Sequence, residues 1–117
     1  MTIVITGGLG YIGSHVSVAL LRAEYDVLIL DDLSNSSIDV LDRIERIAGR
    51  RPSFLRISVL DREQLVTIFS RNRVEVVMHF AAFKAVSESI EKPLDYYNNN
   101  VSGTLSLLSS MKAENVK

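Results

Sequence analysis

The chain has 117 residues, 47% of them hydrophobic and 23% charged, and a net charge of −1. This is ordinary globular composition for one domain at most, with a modest core. The balanced charge, with no Lys/Arg cluster, gives no case for nucleic acid, and the absence of Cys excludes disulfides and thiolate metal sites.

No stretch approaches 18 apolar residues and the N-terminus has no basic, apolar leader, so no membrane span or signal peptide is expected and the cytoplasm is the default location. Ile3 to Thr6 predicts a first strand. Gly7-Gly8-Leu9-Gly10-Tyr11-Ile12-Gly13 follows it, with glycines at 7, 10 and 13. In a strand–turn–helix unit the first glycine allows the tight turn and the second lets the backbone approach a pyrophosphate. The third lets the helix pack close to the strand, and the helix N-terminus favours an anion. A plain glycine-rich turn is the alternative.

Val16, Ala19, Leu20 and Ala23 recur at helical spacing, and Val27 to Leu30 predicts a second strand ending at Asp31. Ile38, Leu41, Ile44 and Ile47 predict a second helix, with Ser36 or Ser37 as N-cap and Gly49 as its stop. Phe54 to Val59 predicts a third strand. Asp61, with Gln64 three residues on, resembles a capping box for a helix that turns Leu65, Ile68 and Phe69 inward. Val74 to Phe80 holds a fourth strand. Pro93 suits the first turn of a last helix, with Val101, Leu105, Leu108 and Met111 on one face. Apolar strands alternating with amphipathic helices predict an α/β, Rossmann-type, doubly wound parallel sheet of order 3-2-1-4, with its later strands absent.

Asp31 lies 18 residues after Gly13 at the end of the second strand, where an acid accepts hydrogen bonds from ribose hydroxyls; the alternative is a turn aspartate. With Asp32 beside it, and no Arg between Asp31 and Asp42, a 2′-phosphate is disfavoured, and NAD is expected over NADP. Ser34, Asn35 and Ser36 serve either as caps or as cofactor contacts. The small residues after His79 let the backbone pass near a ligand, to which Lys84 offers a charge, unless it is a solvated surface lysine. His79 and His15, 64 residues apart, read as structural and not as a metal pair. Glu88, Glu91 and Asp95 read as a solvated helix face more readily than a carboxylate pair. Asn98-Asn99-Asn100 costs helix propensity, which points to a hydrogen-bonding role or a frayed first turn.

Two stretches carry a resemblance. Thr6-Gly7-Gly8-Leu9-Gly10-Tyr11-Ile12-Gly13-Ser14-His15 and Asp31-Asp32-Leu33-Ser34-Asn35-Ser36 resemble the extended short-chain dehydrogenase/reductase family. His79-Phe80-Ala81-Ala82-Phe83-Lys84-Ala85-Val86-Ser87-Glu88-Ser89, followed by the run from Lys92-Pro93-Leu94-Asp95-Tyr96-Tyr97 to Leu105, is more selective. It resembles the UDP-glucose 4-epimerases within that family, over essentially the whole chain. The resemblance implies a tightly held NAD and a tyrosine base in the complete enzyme. It also implies interconversion of UDP-glucose and UDP-galactose through a 4-keto sugar, in galactose metabolism.

Carried over by position, the resemblance implies that Gly7, Gly10, Tyr11, Ile12 and Gly13 meet the pyrophosphate. It assigns Asp31, Asp32, Leu33, Ser34, Asn35 and Ser36 to the adenosine ribose, and Ser58 and Val59 to the adenine. Phe80, Ala81, Ala82, Phe83, Lys84 and Asn99 lie further along the NAD. A homodimer of the complete enzyme, through helices that include the last one here, is also implied.

The chain departs from the family pattern twice. Ile57-Ser58-Val59 replaces a Gly-Asp pair at the adenine, so slightly weaker NAD binding is expected. No Tyr-x-x-x-Lys, the family's catalytic pair, occurs among these residues. Residues 1–117 are therefore expected to be the N-terminal, NAD-binding part of an epimerase, with the substrate domain absent and no activity alone. The fourth strand is then expected to be an exposed sheet edge. A stand-alone NAD-binding module, or a related sugar-nucleotide epimerase or dehydratase, are the alternatives; the Lys84 segment argues against the last.

Overall fold

A computed structural model describes all of residues 1–117. Four strands, β1 (Thr2–Thr6), β2 (Asp26–Asp31), β3 (Ser53–Arg56) and β4 (Val74–His79), form one parallel sheet in the order β3-β2-β1-β4. The expected topology is the observed one. Side chains alternate across the strands and sort the core into two halves. Ile3, Ile5, Val27 and Ile29 face α1 (Tyr11–Arg22) and α2 (Asp39–Ala48), where Leu21, Leu41 and Ile44 meet them. Val4, Leu28 and Leu30 face α3 (Arg62–Arg71) and the long C-terminal helix, which contribute Leu65, Phe69 and Leu107.

The local signals act as their chemistry requires. The Asp61 carboxylate accepts from the Gln64 N–H at 3.2 Å and starts α3. At α2 the expectation is corrected: Ile38, and not Ser36 or Ser37, is the N-cap and makes no side-chain cap bond, although the Ser37 hydroxyl accepts from the Asp39 N–H at 3.3 Å just before it. Gly49, at φ +77°, ends that helix with its N–H on the Glu45 carbonyl. Two helix faces differ from expectation. In α1 Val16 and Leu20 pack partly buried against the core as expected, but the fully buried stripe is Gly13, Ser17 and Leu21 and Ala19 is exposed, because the helix starts so close to the glycine turn that small residues face inward there. Ile38 and Ile47 sit exposed at the ends of α2.

β3 is shorter than expected. The Ile57 N–H still reaches the Asp31 carbonyl at 3.2 Å, but β2 ends there and offers no further rung. Ile57 and Val59 are buried all the same.

The C-terminal helix brings the largest correction. After α4 (Val86–Glu91) and the short α5 (Pro93–Tyr96), residues Tyr97–Ser102 form a π-helical turn that leads into α6 (Gly103–Ala113). A wider turn shifts the phase of every residue after it. Gly103, Leu107 and Ser110 therefore face the core, while Val101, Leu105 and Leu108 are exposed and Met111 is only half-buried. Past α6 the chain returns to the sheet. Lys117 bonds the edge of β4 through its N–H to the Glu75 carbonyl at 2.9 Å and its carbonyl to the Val77 N–H at 2.6 Å. The edge of β4 is thus partly covered.

Candidate functional site

A cavity of about 290 Å³ lies beyond the carboxyl ends of β1, β2 and β4, where an open parallel sheet leaves its crevice. The glycine turn forms its floor. Gly7 has φ +65°, and a Cβ there would stand 2.7 Å from the Ala81 nitrogen and the Phe80 carbonyl carbon. Only glycine lets the turn and the segment after β4 run side by side. A Cβ on Gly13 would strike the Gly7 carbonyl oxygen, so α1 starts directly against the turn. The N–H groups of Tyr11, Ile12 and Gly13 have no carbonyl inside the helix, whose first such bond joins the Ser14 N–H to Gly10. Those donors and the helix dipole favour an anion above Gly10.

Asp31 ties the second wall to the first. One carboxylate oxygen accepts from the Leu9 N–H at 3.1 Å, and the other from the Leu33 N–H at 3.0 Å and the Ser36 hydroxyl at 2.8 Å. Each oxygen has two lone pairs, so one acceptor site remains, on Oδ2, for a ligand hydroxyl. The turn aspartate and the cavity-facing acid are one residue. Asp32 accepts from the Ser34 N–H and hydroxyl at 2.9 and 2.6 Å, which shapes the rim. No Lys or Arg lines the cavity on that wall, although Arg56 on β3 pairs in register with Asp31 across the sheet.

The third wall is the segment 80–84. The side chain of Asn100 grips Phe83 there, accepting from its N–H at 2.8 Å and donating to its carbonyl at 2.9 Å. The asparagine run thus serves the hydrogen-bonding role its composition points to. Lys84 is exposed at the rim and Asn99 lines the same wall. His79 lies half-buried beneath the segment, and burial pushes its ring pKa below the ordinary range. His15 donates from its ring to the Tyr11 carbonyl at 2.8 Å, a local helix contact. Glu88, Glu91 and Asp95 are exposed. No cluster of acidic or histidine side chains could hold a metal ion.

The structure brings most of the residues expected at the site onto one wall or another: Gly7, Gly10 and Tyr11; Asp31, Asp32, Ser34, Asn35 and Ser36; Val59; Phe80 to Lys84; and Asn99. Four stand outside it. Ile12 follows the helix away from the turn, and Gly13 is a packing residue beneath it. Leu33, held at φ +62°, sends its side chain to the core. Ser58 is not among the lining residues, and its hydroxyl accepts from the Leu60 N–H at 3.2 Å. Leu30 and Ile57 line the cavity without being expected there. Alternation along an extended segment puts 57 and 59 on one side and 58 on the other, which is the signal that could have found Ile57.

The sequence matches the family described as GDP-mannose 4,6 dehydratase over residues 4–117. The UDP-glucose 4-epimerase of Yersinia enterocolitica is 50% identical over 117 residues, which is 100% of this chain and 35% of that protein. A UDP-glucose 4-epimerase sequence from Klebsiella pneumoniae is 46% identical and is matched over 84% of its length. Among solved structures, the UDP-glucose-4-epimerase from Stenotrophomonas maltophila with bound NAD and formylated UDP-arabinopyranose superposes with a TM-score of 0.98. It is 40% identical, and the match covers 100% of this chain and 35% of that one. The chain thus spans about a third of the length of the first of these relatives.

Proposed function

Because the chain belongs to the GDP-mannose 4,6 dehydratase family and, within it, to the UDP-glucose 4-epimerases, we propose that its cavity holds NAD for the interconversion of UDP-glucose and UDP-galactose. The observation that carries this reading is the pairing of an anion-favouring glycine turn with a buried acid whose carboxylate also spans to the ribose side of the same cavity. The residues fit the group. Gly7 and Gly10 leave room for a pyrophosphate on the N-terminus of α1, and Asp31 offers one free acceptor site to a ribose hydroxyl. Asp31 and Asp32 together repel a 2′-phosphate, which favours NAD over NADP. Leu30, Ile57 and Val59 make an apolar slot suited to the adenine face, while Phe80 to Lys84 and Asn99 flank the far half.

NAD, when bound, supplies reversible hydride acceptance at the sugar C4. These 117 residues orient it and exclude water on three sides, but they contain no Tyr-x-x-x-Lys to move the hydroxyl proton. A group outside them must do that work in the complete enzyme. We read the exposed apolar side chains Val86, Ile90, Leu94, Val101, Leu105 and Leu108 as a contact surface of a homodimer of that enzyme. No helix is long and apolar enough to cross a membrane, and the cytoplasm is the proposed location.

Calorimetric titration of the 117-residue chain tests the cofactor reading. NAD is expected to bind and NADP to bind at least tenfold more weakly, the equivalent of about 1.4 kcal/mol of repulsion. No heat with NAD, or equal affinity for both, would overturn it.

A further inference from the structure

A row of polar atoms beneath the cavity has only one consistent direction. The Asn100 carbonyl can only accept, so the Thr104 hydroxyl donates to it at 2.6 Å. Thr104 Oγ1 is then left as an acceptor for His79 Nε2, 3.2 Å away, which puts a hydrogen on that nitrogen. At the other end, Thr6 Oγ1 accepts from the Ala81 N–H at 3.4 Å and shares the Phe80 N–H, at 3.2 Å, with the Thr6 carbonyl, which takes it at 2.9 Å. Its own hydrogen points at His79 Nδ1, 2.6 Å away. A neutral ring with its hydrogen on Nε2 satisfies every atom. A charged ring would aim a further hydrogen at Thr6 Oγ1 and strand the Thr6 hydrogen without an acceptor.

The row ends on the residue that grips the loop elsewhere. Asn100 receives the row through its carbonyl and holds Phe83 through its side chain. The cavity segment is thereby fastened to the π-helical turn near both its ends.

We propose that His79 is a positioning residue: its neutral, Nε2-protonated ring joins the segment Phe80–Phe83 and the π-helical turn into one body, so that Phe80, Ala81 and Asn99 keep a fixed spacing around a bound dinucleotide. The identity of the ligand rests on the function proposed above; the state of the ring does not. Thr6 from β1, Thr104 from α6, and Phe80 and Ala81 from the loop meet the ring or its hydroxyl partners. No charged side chain contributes to its lowered pKa, which is an effect of burial alone.

Long-range ¹H–¹⁵N spectra of the histidine-labelled chain test the ring directly. His79 is expected as the Nε2–H tautomer at neutral pH. An Nδ1–H tautomer, or a charged ring at that pH, overturns the proposal. Titration of NAD into the unmodified chain, His79→Asn and His79→Phe then tests the consequence. The asparagine keeps an acceptor toward Thr6, whereas the phenylalanine keeps neither link. Affinity is expected to fall about tenfold in His79→Phe, the equivalent of a lost hydrogen bond, and less in His79→Asn. Amide exchange at Ala81, whose N–H rests on the Thr6 hydroxyl, should quicken in the same order, with or without NAD. Unchanged affinity and exchange in a folded His79→Phe overturn the proposal. Thr104→Val, which leaves the ring in place and removes both the acceptor for Nε2 and the donor to the Asn100 carbonyl, serves in its place if that variant does not fold. If the unmodified chain binds no NAD, the cofactor reading fails while the tautomer and exchange measurements still decide the role of His79.

Discussion

Replacing Asp31 with asparagine is the sharpest probe of how the site is built into the fold. The residue is 8% exposed, and its carboxylate takes three internal donors on two oxygens. An asparagine in its place would keep the shape but present one oxygen and one amide nitrogen, so in either orientation an N–H faces a donor. Pointing the nitrogen at Leu9 sacrifices one bond and keeps those from Leu33 and Ser36, now to a neutral oxygen. Hydrogen bonds to a charged group contribute about 1.5–3 kcal/mol and neutral ones about 0.5–1.5. One bond lost and two weakened, offset by relief of carboxylate desolvation, come to about 2–4 kcal/mol. A domain of this size has a stability on the order of 5–15 kcal/mol, and urea slopes are about 1–3 kcal/mol/M, so the midpoint should fall by about 1 M or more. Urea unfolding followed by circular dichroism is the assay. Ser36→Ala, which removes one donor, should cost about 1 kcal/mol. If Asp31→Asn unfolds within about 0.5 kcal/mol of the unmodified chain, the carboxylate does not tie the walls together, and the reasoning is wrong.

Gly7→Ala should destabilise by about 1–2 kcal/mol for its left-handed backbone plus about 1–3 for the approach to Phe80 and Ala81; an unchanged thermal midpoint would contradict this. Ser106→Ala should be neutral or stabilise by up to about 1 kcal/mol, since the Ser106 hydroxyl is buried without a partner, and a clear loss in a denaturant melt would reveal one. The His79 ring should also make the fold acid-sensitive. Its folded pKa lies below the unfolded value near 6.5, so below 6.5 the unfolded chain binds more protons. Stability then rises with pH up to about 6.5. The His79 share is complete above that value and is lost as pH falls toward the depressed folded pKa. His79→Phe should remove this slope from a pH series of melts, and an unaltered slope would refute the assignment.

Much of the site is legible in the chain because its parts are local. The turn at 7–13 needs glycine for reasons of backbone shape, Asp31 sits at a strand end, and the apolar runs alternate with helical spacing. The local bond from the Leu60 N–H to the Ser58 hydroxyl was not legible, because a resemblance carries a position and not a side chain's partner. The face of α6 departs from it because counting by threes and fours assumes an unbroken α-helix. The asparagines that disfavour that helix instead form a π-helical turn, and one of them finds its partners at Phe83, 17 residues back in the chain.

Periodicity and turn chemistry, which depend on neighbours within a few residues, were enough to find the four strands and the glycine cradle, though not the end of β3, and the order of the sheet followed from the Rossmann-type pattern they form. The shape of the third wall was not available at that range. Thr6, His79 and Thr104 are separated by 73 and 25 residues, and they become one hydrogen-bonded row only when β1, β4 and α6 pack together. Taken singly along the chain, none of the three signals such a role. Tertiary packing decided it, because a buried polar atom must find a partner wherever the fold brings one within reach.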